Sequence, residues 1–228
     1  MQPDMQSVNT ASAGQLASAP NKVLRNTYML LALSMIPTVI GAMIGIQLNL
    51  RFLSGGIGLI VFLAGAFGFM FAINKTKDSG LGVVFLLGFT FFMGLMLSRL
   101  LGAVLGFKNG GQLIMLAFGG TAGIFAVMAT LGTVIKRDIS WMGKFLFVGA
   151  LVVFFAAIAN VFLQIPAMTL AIASVAMIVF SVYILYDVNQ IMTGGETNYI
   201  MATLNIYLDV FNVFQSLLVL LGVLGGED

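Results

Sequence analysis

Uncharged apolar stretches, separated by short clusters of charge, set the architecture of this chain. An α-helix needs about 20 apolar residues to cross a hydrocarbon core of about 30 Å. Such stretches run over about 27–46, 52–73, 80–105 and 112–135. Between Lys144 and Asp187 no charge occurs for 42 residues, twice what one crossing needs. Gln164-Ile165-Pro166 divides that stretch, because proline starts helices well and continues them badly. The division predicts a fifth helix over 142–163 and a sixth over 166–192. A seventh runs over about 199–223 and contains one acid, Asp209. The predicted fold is all-α: a polytopic membrane bundle of seven transmembrane helices joined by short loops, spanning residues 22–228. Residues 1–21, polar and rich in Ser, Ala and Gln, read as a disordered tail. No apolar core in that tail precedes a cleavage site, so it does not read as a signal peptide.

Composition agrees with a chain embedded in lipid. Of 228 residues, 60% are hydrophobic and 8% charged, against about 25% charged in an ordinary soluble domain. The mean hydropathy is +1.08. Neither cysteine nor histidine occurs, so disulfides, thiolate nucleophiles, imidazole bases and Cys/His metal sites are excluded. The net charge of +2 is too small for a nucleic-acid partner. Charge distribution sets an expected orientation. With the N-terminus inside, the inner segments carry Lys22, Arg25, Lys75, Lys77, Lys136, Arg137 and Lys144, which is seven of ten basic residues. The outer segments carry Arg51, Arg99 and Lys108. The positive-inside rule then places the N-terminus in the cytoplasm and the C-terminus outside.

Several conspicuous residues read as packing or anchoring. The pairs Gly41/Gly45 and Gly119/Gly123 have the four-residue spacing that lets helices approach closely. Trp141, among Lys136, Arg137 and Lys144, reads as an interfacial anchor. Arg99 is expected to snorkel toward the outer headgroups. Pro37 can kink the first helix.

The informative residues are acids. Asp209 lies ten residues into the seventh helix, about 15 Å along its axis. Asp187 lies near the cytoplasmic end of the sixth. A carboxyl at such depth usually faces a bundle interior, a partner or water, and marks function. Asn205, Asp209, Asn212 and Ser216 form one stripe of the seventh helix, and Tyr183, Asp187 and Gln190 form another on the sixth. Consecutive helices carrying such stripes are expected to turn them toward each other. Two carboxyls brought together in lipid share a proton and titrate as a pair, so Asp187 and Asp209 are candidates for pH sensing. They are also candidates to hold a cation in passage. Two carboxylates fall short of the 6–8 oxygens that calcium prefers, so carbonyls and water must complete a weak, transient site. The bland reading is a hydrogen-bonded pair that fixes helix register.

The stretches GGETNYIMATLN at 194–205 and YLDVFNVFQSLLVLLG at 207–222 resemble the C-terminal signature of the Bax inhibitor-1 family. KVLRNTY at 22–28 and NVFLQIPAM at 160–168 are similar to its bacterial YccA-like branch. The resemblance covers nearly the whole chain after residue 21. It implies a seven-helix bundle with the last helix at its centre, in the bacterial inner membrane. It implies two activities: modulation of the membrane-anchored protease FtsH, and a pH-sensitive calcium leak gated by aspartates matching Asp187 and Asp209. A cytoplasmic tail, residues 1–21, gives such a protease a handle. One departure stands out. Leak-channel relatives pair an arginine on the second helix with the sixth-helix aspartate, and the stretch 52–73 here holds no basic residue. Two further readings remain. One is an interaction protein that binds FtsH without transport. The other is an intramembrane aspartyl protease, against which Ile206-Tyr207-Leu208 before Asp209 supplies no glycine for a substrate backbone to approach.

Overall fold

The structure is a computed structural model that describes residues 5–48 and 55–226, and the side chains from residue 20 onward. Its elements are α1 (Met5–Leu48), α2 (Gly55–Thr76), α3 (Gly80–Leu105), α4 (Gly110–Val134), α5 (Met142–Leu163), α6 (Pro166–Thr193) and α7 (Tyr199–Gly225). Among the described residues each helix supplies one segment long and apolar enough to cross a membrane, seven in all. The all-helical bundle predicted from hydropathy is therefore present, with boundaries displaced by a few residues. The break between α5 and α6 falls where the proline placed it. Gln164 adopts a left-handed conformation (φ 53°) and Pro166 opens α6.

Helix α1 begins at Met5, within the stretch expected to be a disordered tail, and its membrane-long segment begins at Pro20. Alanines at positions 11, 13, 17 and 19 supply high helix propensity there. Position 51 lies outside the described residues, as do the last two acids, 227 and 228.

The most extensive pairing is α1 with α3. A Cβ on Gly41 would stand 3.1 Å from the Leu95 backbone nitrogen. One on Gly94 would stand 2.8 Å from the Thr38 carbonyl carbon. Glycine at these positions lets the two backbones touch, as the spacing of Gly41 and Gly45 predicts. Gly119 and Gly123 behave otherwise: a Cβ on either meets nothing within 4 Å. Their spacing fixes which residues share a face of α4, but not which way that face points, and here it points away from the bundle.

Helix α7 packs against α1, α2, α3, α4 and α6. Its buried residues include Ile200, Thr203, Leu204, Tyr207, Asp209, Val213, Ser216 and Leu218. Asn198 starts the helix by accepting from the backbone N–H groups of Ile200 and Met201. Its amide also donates to Lys77 O and Asp78 Oδ1, which ties the α6–α7 loop to the α2–α3 turn. The chain crosses back and forth, so these two connections and the α4–α5 loop gather at one end of the bundle. That end carries Lys22, Arg25, Lys75, Lys77, Lys136, Arg137 and Lys144, and is called the basic end below. Trp141 is exposed there, edge-on to Phe145, as an interfacial anchor should be.

Candidate functional site

Asp187 on α6 and Asp209 on α7 come within interaction range of each other. Asp209 is buried and Asp187 half-buried. Oδ2 of Asp209 is shut away from solvent and meets no N–H or hydroxyl donor. A bond between two carboxyls needs one of them to carry a proton, because two carboxylates offer only acceptors. The geometry therefore fits a pair that holds one proton between its members. The charges acting on the two groups are each other's and, on Asp187, that of Glu196 in the α6–α7 loop. Among the described residues no basic side chain acts on either. Helix α2, like the sequence, offers no arginine at membrane depth, its one basic residue being Lys75 in the last turn.

The predicted stripes fare unequally. Tyr183 lies within electrostatic reach of both carboxyls. Asn212 and Ser216 line a cavity on the side of Asp209 away from the basic end. The Asn212 amide donates to Leu208 O one turn back. Asn205 is half-buried, one turn toward the basic end from Asp209. Gln190 turns away from the pair: its amide donates to the Ser140 hydroxyl at 3.1 Å, in the α4–α5 loop. Helical spacing placed Gln190 on the face of Asp187, but a long side chain can reach sideways to a loop that spacing does not locate. No group of three or more acids among the described residues could hold a metal ion, so the pair alone would be the anchor for any cation.

Two cavities approach the pair from the other end. The larger, about 760 Å³, lies among α2, α3, α5, α6 and α7, with Arg99, Gln164, Gln215 and Phe211 in its wall. The smaller, about 310 Å³, reaches Asn212 and Ser216. They share Asn160, whose amide donates to the Thr169 hydroxyl at 2.7 Å and whose oxygen accepts from the Ile165 N–H at 3.0 Å. Asn160 thereby braces the α5–α6 turn beside the cavities. Asp209 lies three residues beyond Asn212, a rise of about 4.5 Å along α7.

Sequence reasoning missed Tyr207. Its ring is 1% exposed and its hydroxyl sits 2.9 Å from the Thr38 hydroxyl of α1 and 3.4 Å from Thr90 O of α3. Two hydroxyl protons serve three contacts here, to Ser34 O, to Thr90 O and between the hydroxyls, so either hydroxyl can be the donor between the two. An aromatic in an apolar helix gives no sign in sequence that its polar tip is the point of interest. The signal available was position: Tyr207 stands nearly half a turn from the Asp209 stripe, on the opposite face of α7.

The model of the family described as "Inhibitor of apoptosis-promoting Bax1" matches residues 20–226. The chain belongs to this family. Among its relatives, "Modulator of FtsH protease YccA" from Escherichia coli (strain K12) is 39% identical over 202 residues, covering 89% of this chain and 90% of the relative. The same match extends to a protein of another Escherichia coli strain named "Inner membrane protein YccA". An uncharacterized protein of Pseudomonas aeruginosa is 36% identical over 228 residues, the full length of both chains. Family membership and seven membrane-long helices together make the chain an integral membrane protein.

Proposed function

We propose that the chain is a regulatory protein of the bacterial inner membrane, with a cytoplasmic N-terminus. Its Asp187–Asp209 pair responds to protons and passes a cation, calcium foremost. The observation that carries this reading is the pair itself: two carboxyls within interaction range of each other, within the membrane, with no basic partner among the described residues. Removing the shared proton leaves two like charges close together, which favours separating α6 from α7. Separation would open the pair to the cavities that already reach Asn212 and Ser216. Calcium would be held weakly, its shell completed by water and carbonyls.

A second activity is favoured by the relative named as an FtsH modulator. In that role the chain binds FtsH within the membrane, and residues 1–21 are the handle the protease takes. Neither role is enzymatic. The pair also resembles the centre of an aspartyl protease, but α7 is an unbroken helix through Asp209, and Ile206 and Tyr207 before it are buried. A substrate strand has no exposed backbone there to pair with.

Calcium uptake into proteoliposomes between pH 5 and 8 tests the first reading. Wild type is expected to show pH-dependent uptake, and Asp187→Asn with Asp209→Asn is expected to lose that dependence. Uptake at the level of empty liposomes, from folded wild-type protein at every pH, would remove the leak and leave FtsH modulation. Removal of residues 1–21 tests the second reading. It is expected to abolish degradation of the chain by FtsH while leaving calcium uptake intact, and unchanged degradation would remove the handle.

A further inference from the structure

The α4–α5 loop is fastened to the last turns of α6 in a way the acid pair does not require. Asn189, fully buried, donates from its amide nitrogen to Ile135 O at 2.7 Å and to Arg137 O at 3.2 Å. Next to it, Gln190 and the Ser140 hydroxyl exchange contacts at 3.1 and 3.3 Å. Asp138 orders the same segment, accepting from the Ser140 N–H at 2.7 Å and from its hydroxyl. Ile139, between them, is buried. Behind the loop, α4 is pressed onto α6 at Gly132, where a Cβ would stand 2.7 Å from Leu185 O.

The fastening bears on Asp187 through Gln190. Three residues further along α6, Gln190 occupies the face of Asp187, about 4.5 Å nearer the basic end. Its backbone carbonyl accepts from the N–H groups of Gly195 and Glu196, so the α6–α7 loop closes over it from the other side. The groups facing Asp187 are Asp209 on α7, Tyr183 and Tyr186 on α6, and Glu196 in that loop. Gln190 thus lies on the turn of α6 between Asp187 and the basic end, and Ser140 holds its side chain there.

The hold is not fully satisfied. Oδ1 of Asn189 is buried without a hydrogen-bond partner. Two donated bonds and a buried isoleucine hold the loop in place.

We infer that Asn189 and Gln190 are positioning residues that hold residues 135–140 as a strap closing the basic end of the pathway over Asp187. This rests on the leak reading above. It supplies a closed-state latch in a chain whose second helix has no arginine at membrane depth.

Because the chain has no cysteine, introduced pairs are unambiguous. In full-length protein, Ser140→Cys with Gln190→Cys is bridged by a short bifunctional methanethiosulfonate. Calcium uptake is expected to fall to the empty-liposome level at every pH and to return on reduction. A bridge verified by mass spectrometry that leaves uptake unchanged would overturn the strap. Asn189→Leu keeps the branched side-chain shape and removes both donated bonds. It is expected to raise uptake severalfold and flatten its pH profile. An unaltered profile in folded Asn189→Leu counts against the strap. Should wild type show no uptake, the leak reading fails alone, and the strap is read by maleimide labelling of single Ile139→Cys, a buried position. Labelling is expected to be severalfold faster with Asn189→Leu, and equal rates would overturn the inference.

Discussion

Along α1 and α3 the backbones meet directly at Gly41, Gly45 and Gly94, and hydroxyls close the seam from α7. Along α6 and α7 polar side chains meet instead. There the structure places two carboxyls, a buried amide and, beyond them, two cavities. The first seam has no room and no charge to move. The second has two carboxyls close together and a cavity on one side of them. A bundle in lipid gains little from hydrophobic burial between helices, because the tails are as apolar as leucine. Its rigidity must come from close backbone approach and from internal hydrogen bonds. The α1–α3 seam supplies both.

The comparison breaks first at Gly94. Leucine there must displace the backbone at Thr38 and Ala42, whose nitrogen would be 3.0 Å from the Cβ alone. Backbone on a paired helix cannot yield as a flexible side chain can. Overpacking of this kind costs about 1–3 kcal/mol or more. Gly94→Leu is expected to give little monodisperse protein in detergent, with loss of the main size-exclusion peak as the measurement. A normal yield and melting midpoint would show that the seam is less rigid than its contacts indicate.

Tyr207→Phe is the next test. It keeps the ring, which packs edge-on to Phe89, and removes the hydroxyl shared with Thr38. Thr38 retains its bond to Ser34 O, so the loss is one hydrogen bond, about 1 kcal/mol. Denaturation in mixed micelles is expected to show that loss, with the pH profile of uptake unchanged. A shifted profile would couple the rigid seam to the acid pair and erase the distinction between them.

A smaller effect is expected at Gly119. Alanine there meets open space and trades the most flexible residue for the best helix former. Gly119→Ala is expected to be neutral or to stabilise by up to about 1 kcal/mol. A loss comparable to that at Gly94 would mean that this face of α4 is covered in the membrane by something else.

The acids, the spans and the α5–α6 break were legible because each is a rare event in an apolar text. A carboxyl ten residues inside a helix, or a proline in the middle of a double-length stretch, stands out by itself. Gln190, Tyr207 and Gly119 were not legible in the same way. Their roles depend on the azimuth of a helix and on the path of a loop, and neither is written in the spacing of residues along one element. Asn189 shows the limit well. Its neighbours give no polar stripe, and its partners are backbone carbonyls 52 and 54 residues away, which carry no side-chain signature at all.

The strap gives the smallest effect, at Asp138. This carboxyl is held below the ordinary carboxylate range, first by the Ser140 hydroxyl and then by the Ser140 N–H. A carboxyl whose folded value is depressed adds stability that is present above its unfolded value and is lost as pH falls through the folded one. The turn at 138–140 should therefore stay ordered from neutrality down through the usual range for an aspartate, and loosen only below it. Ser140→Ala removes the first cause and is expected to return Asp138 toward the ordinary value, so that the turn loosens at a higher pH. The carboxyl carbon shift of Asp138, followed by NMR through an acid titration, measures this directly. Asp138 is fully exposed and outside the membrane, so the change should be confined to the loop. If the midpoint in Ser140→Ala matches wild type, the Ser140 hydroxyl is not what orders the strap, and its contact with Gln190 must hold the loop without it.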